Sequence, residues 1–273
     1  DDTTIYIPVV QSHRFQLKSV PSTKACRTSA HSNLALNSKK TKVMLISSSQ
    51  LARVHYLKSY DPGLKISDTS LERLDTAKLL GVHLDSDLKW NTHICATLKS
   101  CYSTLRTLRK IKHFTNTKLR KTLVETLILS KISYCDIVFY PLPNFLITRL
   151  QKLQFAMASF VVNRYVNKIS TIMDLGWLPM KEHRDFSLLK TVDKSLYNDN
   201  WPSYLQLEIS KPVRNLRSNI ALKLVTPFTP GTFQHSAATL FNSLPPDTRN
   251  CTDFKLFCKS CKTILKSRPA NSC

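Results

Sequence analysis

After Trp90, apolar residues return every three or four positions in three successive runs. Ile94, Leu98, Cys101, Leu105 and Leu108 form the first, the stripe of an amphipathic helix. Leu119, Leu123, Leu127 and Ile128 predict the core face of a second helix, which Asn116 or Thr117 can cap. After a break at Pro141 and Pro143, Asn144 can cap a third helix on Leu146, Leu150, Leu153, Met157 and Phe160. Helices this close in sequence bury their stripes against one another, so a small bundle is predicted over residues 92–165. The chain has 273 residues, enough for a sizeable core, and at 42% hydrophobic it is not a disordered composition.

The flanking regions read differently. Residues 1–10 predict a strand bounded by Pro8, and 11–32 are polar and irregular. A turn from Asn33 leads to a strand at Val43–Ile46, and Leu64–Ile66 and Leu79–Leu84, around Gly81, read as further short strands. Beyond residue 165, Trp177-Leu178-Pro179 ends one element and Pro202 interrupts another. Pro227, Pro230, Pro245 and Pro246 mark loops. Phe254, Phe257, Cys258, Cys261, Ile264 and Leu265 make a last helical stripe. The fold class expected is α+β: short antiparallel strands over 1–91, a mainly helical segment over 92–165, and a mixed, mostly helical region over 166–273.

Charge narrows the function. Forty Lys and Arg against eighteen Asp and Glu leave a net charge of +22, which costs self-repulsion in a compact state. A polyanion relieves it, and nucleic acid is the commonest. The cations concentrate at Lys99, Arg106, Arg109, Lys110, Lys112, Lys118, Arg120 and Lys121, with Glu125 as the only acid near them. They alternate with the apolar stripes and so are expected to project away from the core. A solvated helix face would carry more Glu–Lys pairs at four-residue spacing. Phosphate contacts by such residues release counterions and make binding steeply salt dependent. A membrane partner is not expected, because no apolar stretch is long enough to span and no basic amphipathic anchor stands at a terminus.

Other chemistry is sparse. With four Gly, the chain carries neither a dinucleotide fingerprint nor a P-loop. Cys258-x-x-Cys261, with Cys251 and Cys273 around it, lacks a following His, and both residues fall on an apolar helix face; a core role is expected rather than zinc. The eight Cys read as reduced thiols of the nucleus or cytoplasm, and no signal peptide opens the chain, so secretion is not expected. His93 reads as a packing or surface residue, and Asp85 and Asp87 flank a turn. Adjacent carboxylates at Asp1 and Asp2 repel unless a cation lies between them, and hard oxygen ligands suit Mg²⁺.

Several segments then stand in a collinear order. Asp1-Asp2-Thr3 is followed by Leu36-Asn37-x-x-Lys40-Thr41 and by Leu80-Gly81-Val82-x-Leu84-Asp85-x-x-Leu88-x-Trp90-x-x-His93. Tyr134-Cys135, Leu150-Gln151-x-Leu153-Gln154, Leu178-Pro179 with Arg184, Pro202-x-Tyr204-Leu205, Arg217-Ser218, Asn242-Ser243-Leu244-Pro245 and Phe254-Lys255 complete it. In this order they resemble the C-terminal half of a non-LTR retrotransposon (LINE-type) reverse transcriptase. Phe139 and Phe241 stand where that family often has Trp, and residues 11–32 match it poorly.

The resemblance implies the later part of a polymerase palm over 1–91, a thumb over 92–165 and the family's C-terminal region over 166–273. It implies nucleotidyl transfer to a primer 3′-hydroxyl, templated by RNA, with two Mg²⁺ ions at the reacting phosphate. Asp1 and Asp2 would serve as metal ligands, and Lys40 would protonate the leaving group. Partners would be an RNA template and an RNA–DNA or DNA duplex. The fingers and the first palm carboxylate are not in these residues, so a fragment that holds no Mg²⁺ tightly and does not polymerise alone is expected. A non-catalytic nucleic-acid-binding module and a decayed transposon-derived frame are the alternatives.

Overall fold

A computed structural model describes residues 40–57, 59–60, 63–66, 69–198, 200–210 and 222–268. They are mixed α+β and mostly helical, and they fall into two compact units, Asp1–His93 and Ile94–Cys273.

The described strands of the first unit form three two-stranded ladders. β1 (Lys42–Val43) pairs with β4 (Glu72–Arg73), β2 (Lys65–Ile66) with β3 (Thr69–Ser70), and β5 (Thr76–Leu79) with β6 (Val82–Asp85). The β5–β6 hairpin has Leu79 opposite Val82, so Leu80-Gly81 is its whole loop. Both loop residues have positive φ, +45° and +85°, the backbone that matches the right-handed twist of a two-residue hairpin and that glycine adopts at no steric cost. Two expectations are corrected here. β1 ends at Val43 rather than running to Ile46, and it pairs parallel with β4, not antiparallel. The Lys42–Glu72 ion pair adds to this parallel ladder. A short helix, α1 (Ser49–Val54), is capped by Ser48, whose Oγ accepts from the Leu51 N–H at 3.2 Å.

The second unit is helical. α2 (Asn91–Lys110) buries Ile94, Leu98, Cys101, Leu105 and Leu108, the whole stripe read from sequence. Burying a leucine side chain fully contributes about 1.5–3 kcal/mol, enough to fix which face turns inward. A 3₁₀ turn (Lys112–Phe114) leads to α3 (Thr117–Val124), capped by Asn116 through the Leu119 N–H at 2.8 Å. α3 continues through a π turn (Glu125–Leu129) into α4 (Ser130–Ser133).

The core face departs in part from the one expected, with Ile128 buried as read and Leu123 half-buried. Leu119 and Leu127 are exposed, whereas Arg120, Val124, Ile128 and Ile132 are buried. These four are spaced by fours, and in a plain α-helix each such step drifts about 40° around the axis. A wide i→i+5 turn absorbs the drift and keeps all four on one side.

α5 (Asn144–Val162) buries Leu146, Leu150, Leu153, Met157 and Phe160 as expected, although Asn144 is its first residue and Pro143 takes the cap position without a side-chain bond. It ends at Asn163, which is left-handed at φ +60°. α6 (Ile169–Asp174) follows, then α7 (Met180–Tyr197), α8 (Phe233–Asn242), α9 (Pro246–Arg249) and α10 (Phe254–Ser267). α7 packs on α5, α8 and α10, so residues on both sides of 165 share one unit. Leu188, Leu189, Val192, Ala237, Phe241, Phe257, Cys261 and Leu265 form the core between these helices. Cys261 is a fully buried free thiol there, and burial pushes its pKa up to about 12.

Candidate nucleic-acid interface

One flank of α2 is covered by the α3–α4 helix. Lys131 Nζ donates to Ser100 Oγ at 3.1 Å and Thr104 Oγ1 at 2.9 Å, and Cys101 Sγ lies 4.0 Å from the Ile128 carbonyl. α5 lies on the other flank. Near its start Arg149 donates to Cys95 Sγ at 3.1 Å. Near its end Ser159 and Asn163 line an open pocket with Arg109. The hydrogen bond joins the helices near their starts and the shared pocket lies at both their ends, so α2 and α5 run parallel.

Helical spacing then places the cations. Cys95, Lys99, Tyr102, Arg106 and Arg109 follow one another at steps of four and three, on the side of α2 that meets α5. Arg149, Lys152, Ala156, Ser159 and Asn163 do the same on α5. Lys99, Arg106, Arg109, Arg149 and Lys152 are all exposed. The edge between these helices is therefore basic along its length. Residues 88–124 and 137–173, which contain both helices, hold no Asp or Glu at all. Among the described residues, Lys99, Arg106, Arg109, Lys110, Lys112 and Lys118 make no ion pair.

The pocket at the late end measures about 490 Å³ and is lined by Arg109, Lys112, Ser159, Phe160, Asn163, Arg164 and Tyr165. Its floor is braced. Ser159 Oγ donates to the Phe155 carbonyl at 2.8 Å and accepts the Val166 N–H at 3.0 Å, and Val166 is buried. Arg120 Nη1 donates to the Phe160 carbonyl at 3.1 Å, and Nη2 donates to Thr117 Oγ1 at 3.2 Å.

Arg120 thus departs from the outward face read from sequence. It is 8% exposed and satisfies a carbonyl near the end of α5, where a cation also favours the helix dipole. Lys121 is half-exposed and 3.9 Å from Glu125, which also accepts from Trp177 Nε1 at 2.7 Å. Lys110 and Lys118 are exposed on the bundle surface, and Lys112 is half-buried at the pocket. Lys40 is exposed, whereas Asp1 and Asp2 lie outside the described residues. Sequence reading missed Arg149, Lys152 and Arg164, because it weighed local charge density; the acid-free stretch 137–173 was the available signal.

Several motif residues prove to be scaffold. Gln151 Nε2 donates to Gln154 Oε1 at 2.9 Å, Gln154 Nε2 to the Leu178 carbonyl at 2.8 Å, and the Met180 N–H to Gln151 Oε1 at 2.9 Å. Two buried glutamines on α5 therefore hold the turn that starts α7. Asn242 accepts from the Leu224 N–H at 2.9 Å and donates to the Leu224 carbonyl at 2.8 Å. Arg184 Nη2 donates to the carbonyls of Asp136 and Phe139, both at 2.9 Å, and its guanidinium stacks 4.8 Å from the Phe139 ring centre. Beside it Tyr140 Oη donates to Asp185 Oδ1 at 2.7 Å, and Arg268 Nη1 stands 3.5 Å from Asp185 Oδ2. Burial pushes the Asp136 and Asp185 carboxyls up and the Arg184 guanidinium down. His183 Nε2 hydrogen-bonds Ser133 Oγ at 2.9 Å, and burial, with Lys190 and Arg184 nearby, lowers its pKa to about 4.

In the first unit His93 is buried, its Nδ1 accepting from the His83 N–H at 3.3 Å, as a packing residue would be. Asp87 accepts from Lys89 Nζ at 2.7 Å and Ser49 Oγ at 3.2 Å, and the Lys89 bond holds its carboxyl below the usual range. Among the described residues no group of His, Cys, Asp and Glu could hold a metal ion, and no helix is long and apolar enough to cross a membrane. Comparison with protein-family models, with curated proteins and with solved structures finds no match.

Proposed function

We propose that the α2–α5 edge grips the sugar–phosphate backbone of nucleic acid, in the manner of a polymerase thumb behind its active site. The observation that supports this is a run of exposed cations from two parallel helices whose sequence tracts contain no acid. Cations left without counter-charges repel one another in the free protein and gain most from phosphates. Such contacts position a duplex without reading its sequence. Taken with the collinear motifs, the favoured ligand is an RNA–DNA template–primer hybrid, and the favoured parent activity is RNA-directed DNA synthesis of the non-LTR retrotransposon kind. In that parent activity Asp1 and Asp2 would hold Mg²⁺ and Lys40 would serve the leaving group, while these 273 residues alone are expected to give no primer extension on an RNA template with Mg²⁺, and robust extension by them would sink that expectation.

The grip itself is tested by fluorescence anisotropy with a labelled RNA–DNA hybrid. Non-specific affinity of roughly 10⁻⁴–10⁻⁶ M at physiological salt is expected, and about five phosphate contacts weaken it several-hundred-fold for a fourfold rise in salt. Reversing Arg106, Arg109 and Lys110 to Glu should abolish most binding and flatten the salt dependence. Unchanged affinity in that variant would sink the assignment.

A further inference from the structure

We infer that the pocket at the C-terminal ends of α2 and α5 holds one unpaired nucleotide, its base stacked on Tyr165 and its phosphate on Arg109 and Arg164. This deepens the proposed grip and rests on it. Tyr165 is 84% exposed, and no described residue hydrogen-bonds it or stacks on its ring. Its exposure is imposed rather than incidental. Asn163 turns the chain at φ +60°, and the buried Val166 is tied to Ser159 Oγ, so the backbone on both sides is fixed and the ring is left at the pocket wall. A second aromatic, Phe114, is 89% exposed two residues beyond Lys112, on the connection that leaves the same end of α2.

Neutralising the helix ends does not account for the cations. Each helix C-terminus carries about half a negative charge, so two supply about one. Arg109, Lys110, Lys112 and Arg164 stand against that, with no acid in either tract. The pocket's 490 Å³ lies in the range of small-molecule sites of about 300–1,000 Å³ and exceeds what a bare phosphate fills. Cations along a backbone path, with aromatic faces free for stacking, form the platform that single-stranded nucleic acid uses. A base paired inside a duplex has no free face to offer, which selects an unpaired nucleotide.

The test compares a blunt RNA–DNA hybrid with the same hybrid carrying a short single-stranded tail. Tyr165→Ala should weaken the tailed substrate by roughly five- to a hundredfold and leave the blunt one within about twofold, the size expected of one base–aromatic stack. Tyr165→Phe should keep wild-type affinity for the tailed substrate, because phenylalanine preserves the stacking face. A 2-aminopurine in the tail should be quenched by the wild type and not by Tyr165→Ala, whose melting temperature should be unchanged. Equal losses on both substrates, or no loss on either, would overturn the nucleotide site while leaving the grip intact. Failure of the grip is read separately, from a blunt hybrid that the wild type does not bind or that charge reversal at Arg106, Arg109 and Lys110 leaves bound; either result overturns both readings.

Discussion

Arg184 and Arg106 are the same side chain in opposite situations. Arg184 is 3% exposed, donates to two carbonyls, stacks on Phe139 and sits among Asp136 and Asp185. Arg106 is exposed, with no acid between residues 88 and 124. Around α7, Arg184 and Asp185 are matched internally by carbonyls, rings or counter-ions. The α2–α5 edge leaves its charges open. A cation with partners holds the fold together; a cation without them is available to a ligand, so the two regions should separate cleanly in stability and binding experiments.

The largest effect should come from Arg184→Ala. It strands two buried carbonyls and removes the charge facing Asp136 and Asp185, so a loss of roughly 3–5 kcal/mol is expected in urea unfolding. The triple reversal at Arg106, Arg109 and Lys110 should remove binding while costing urea stability only about 1–2 kcal/mol, through the two last-turn charges of α2. If it unfolded the protein as Arg184→Ala does, the division between the two regions would fail.

Acid should act next, and again only on the partnered region. His183 is held neutral in the fold with a pKa of about 4, below its ordinary value of 6.5. The unfolded chain therefore binds the extra proton first, and stability falls as pH drops through the window from 6.5 to 4, by on the order of 1–3 kcal/mol. Asp136 and Asp185 are shifted up, so they gain protons first in the fold and oppose this trend. The difference between wild type and His183→Gln isolates the histidine: the variant's unfolding curve should be flatter across that window. An identical slope would remove His183 from the account.

Arg120 provides the smallest and sharpest comparison, since it was assigned to one region by sequence and belongs to the other. Arg120→Met should cost about 1–3 kcal/mol through the unsatisfied Phe160 carbonyl, measured by thermal melting. The folded fraction should keep hybrid affinity close to wild type. A loss of affinity as large as that of the triple reversal would return Arg120 to the binding face.

The stripes of α2 and α5 were legible because each is a continuous α-helix with a large apolar face. On α3–α4 Ile128 was legible, whereas Leu119 and Leu127 turned out exposed, and nothing in Glu125–Leu129 announces the π turn that keeps Ile128 and Ile132 on the side of Arg120 and Val124. The cations on and just after α5 went unread because Arg149, Lys152 and Arg164 are sparse along the chain and become a surface only beside α2. Gln151, Gln154, Arg184 and Asn242 were legible as motif letters, but their hydrogen bonds to Leu178, Met180, Asp136, Phe139 and Leu224 were not.

Sequence alone determined the mixed fold class, the helical faces of α2 and α5, and the charge excess, because periodicity and composition are properties of the chain itself. Tertiary structure decided which cations are open and which are consumed, and which helix lies beside α2. Those outcomes depend on desolvation and on partners many residues away, such as Arg120 with Phe160 or Arg149 with Cys95, and no local pattern encodes them.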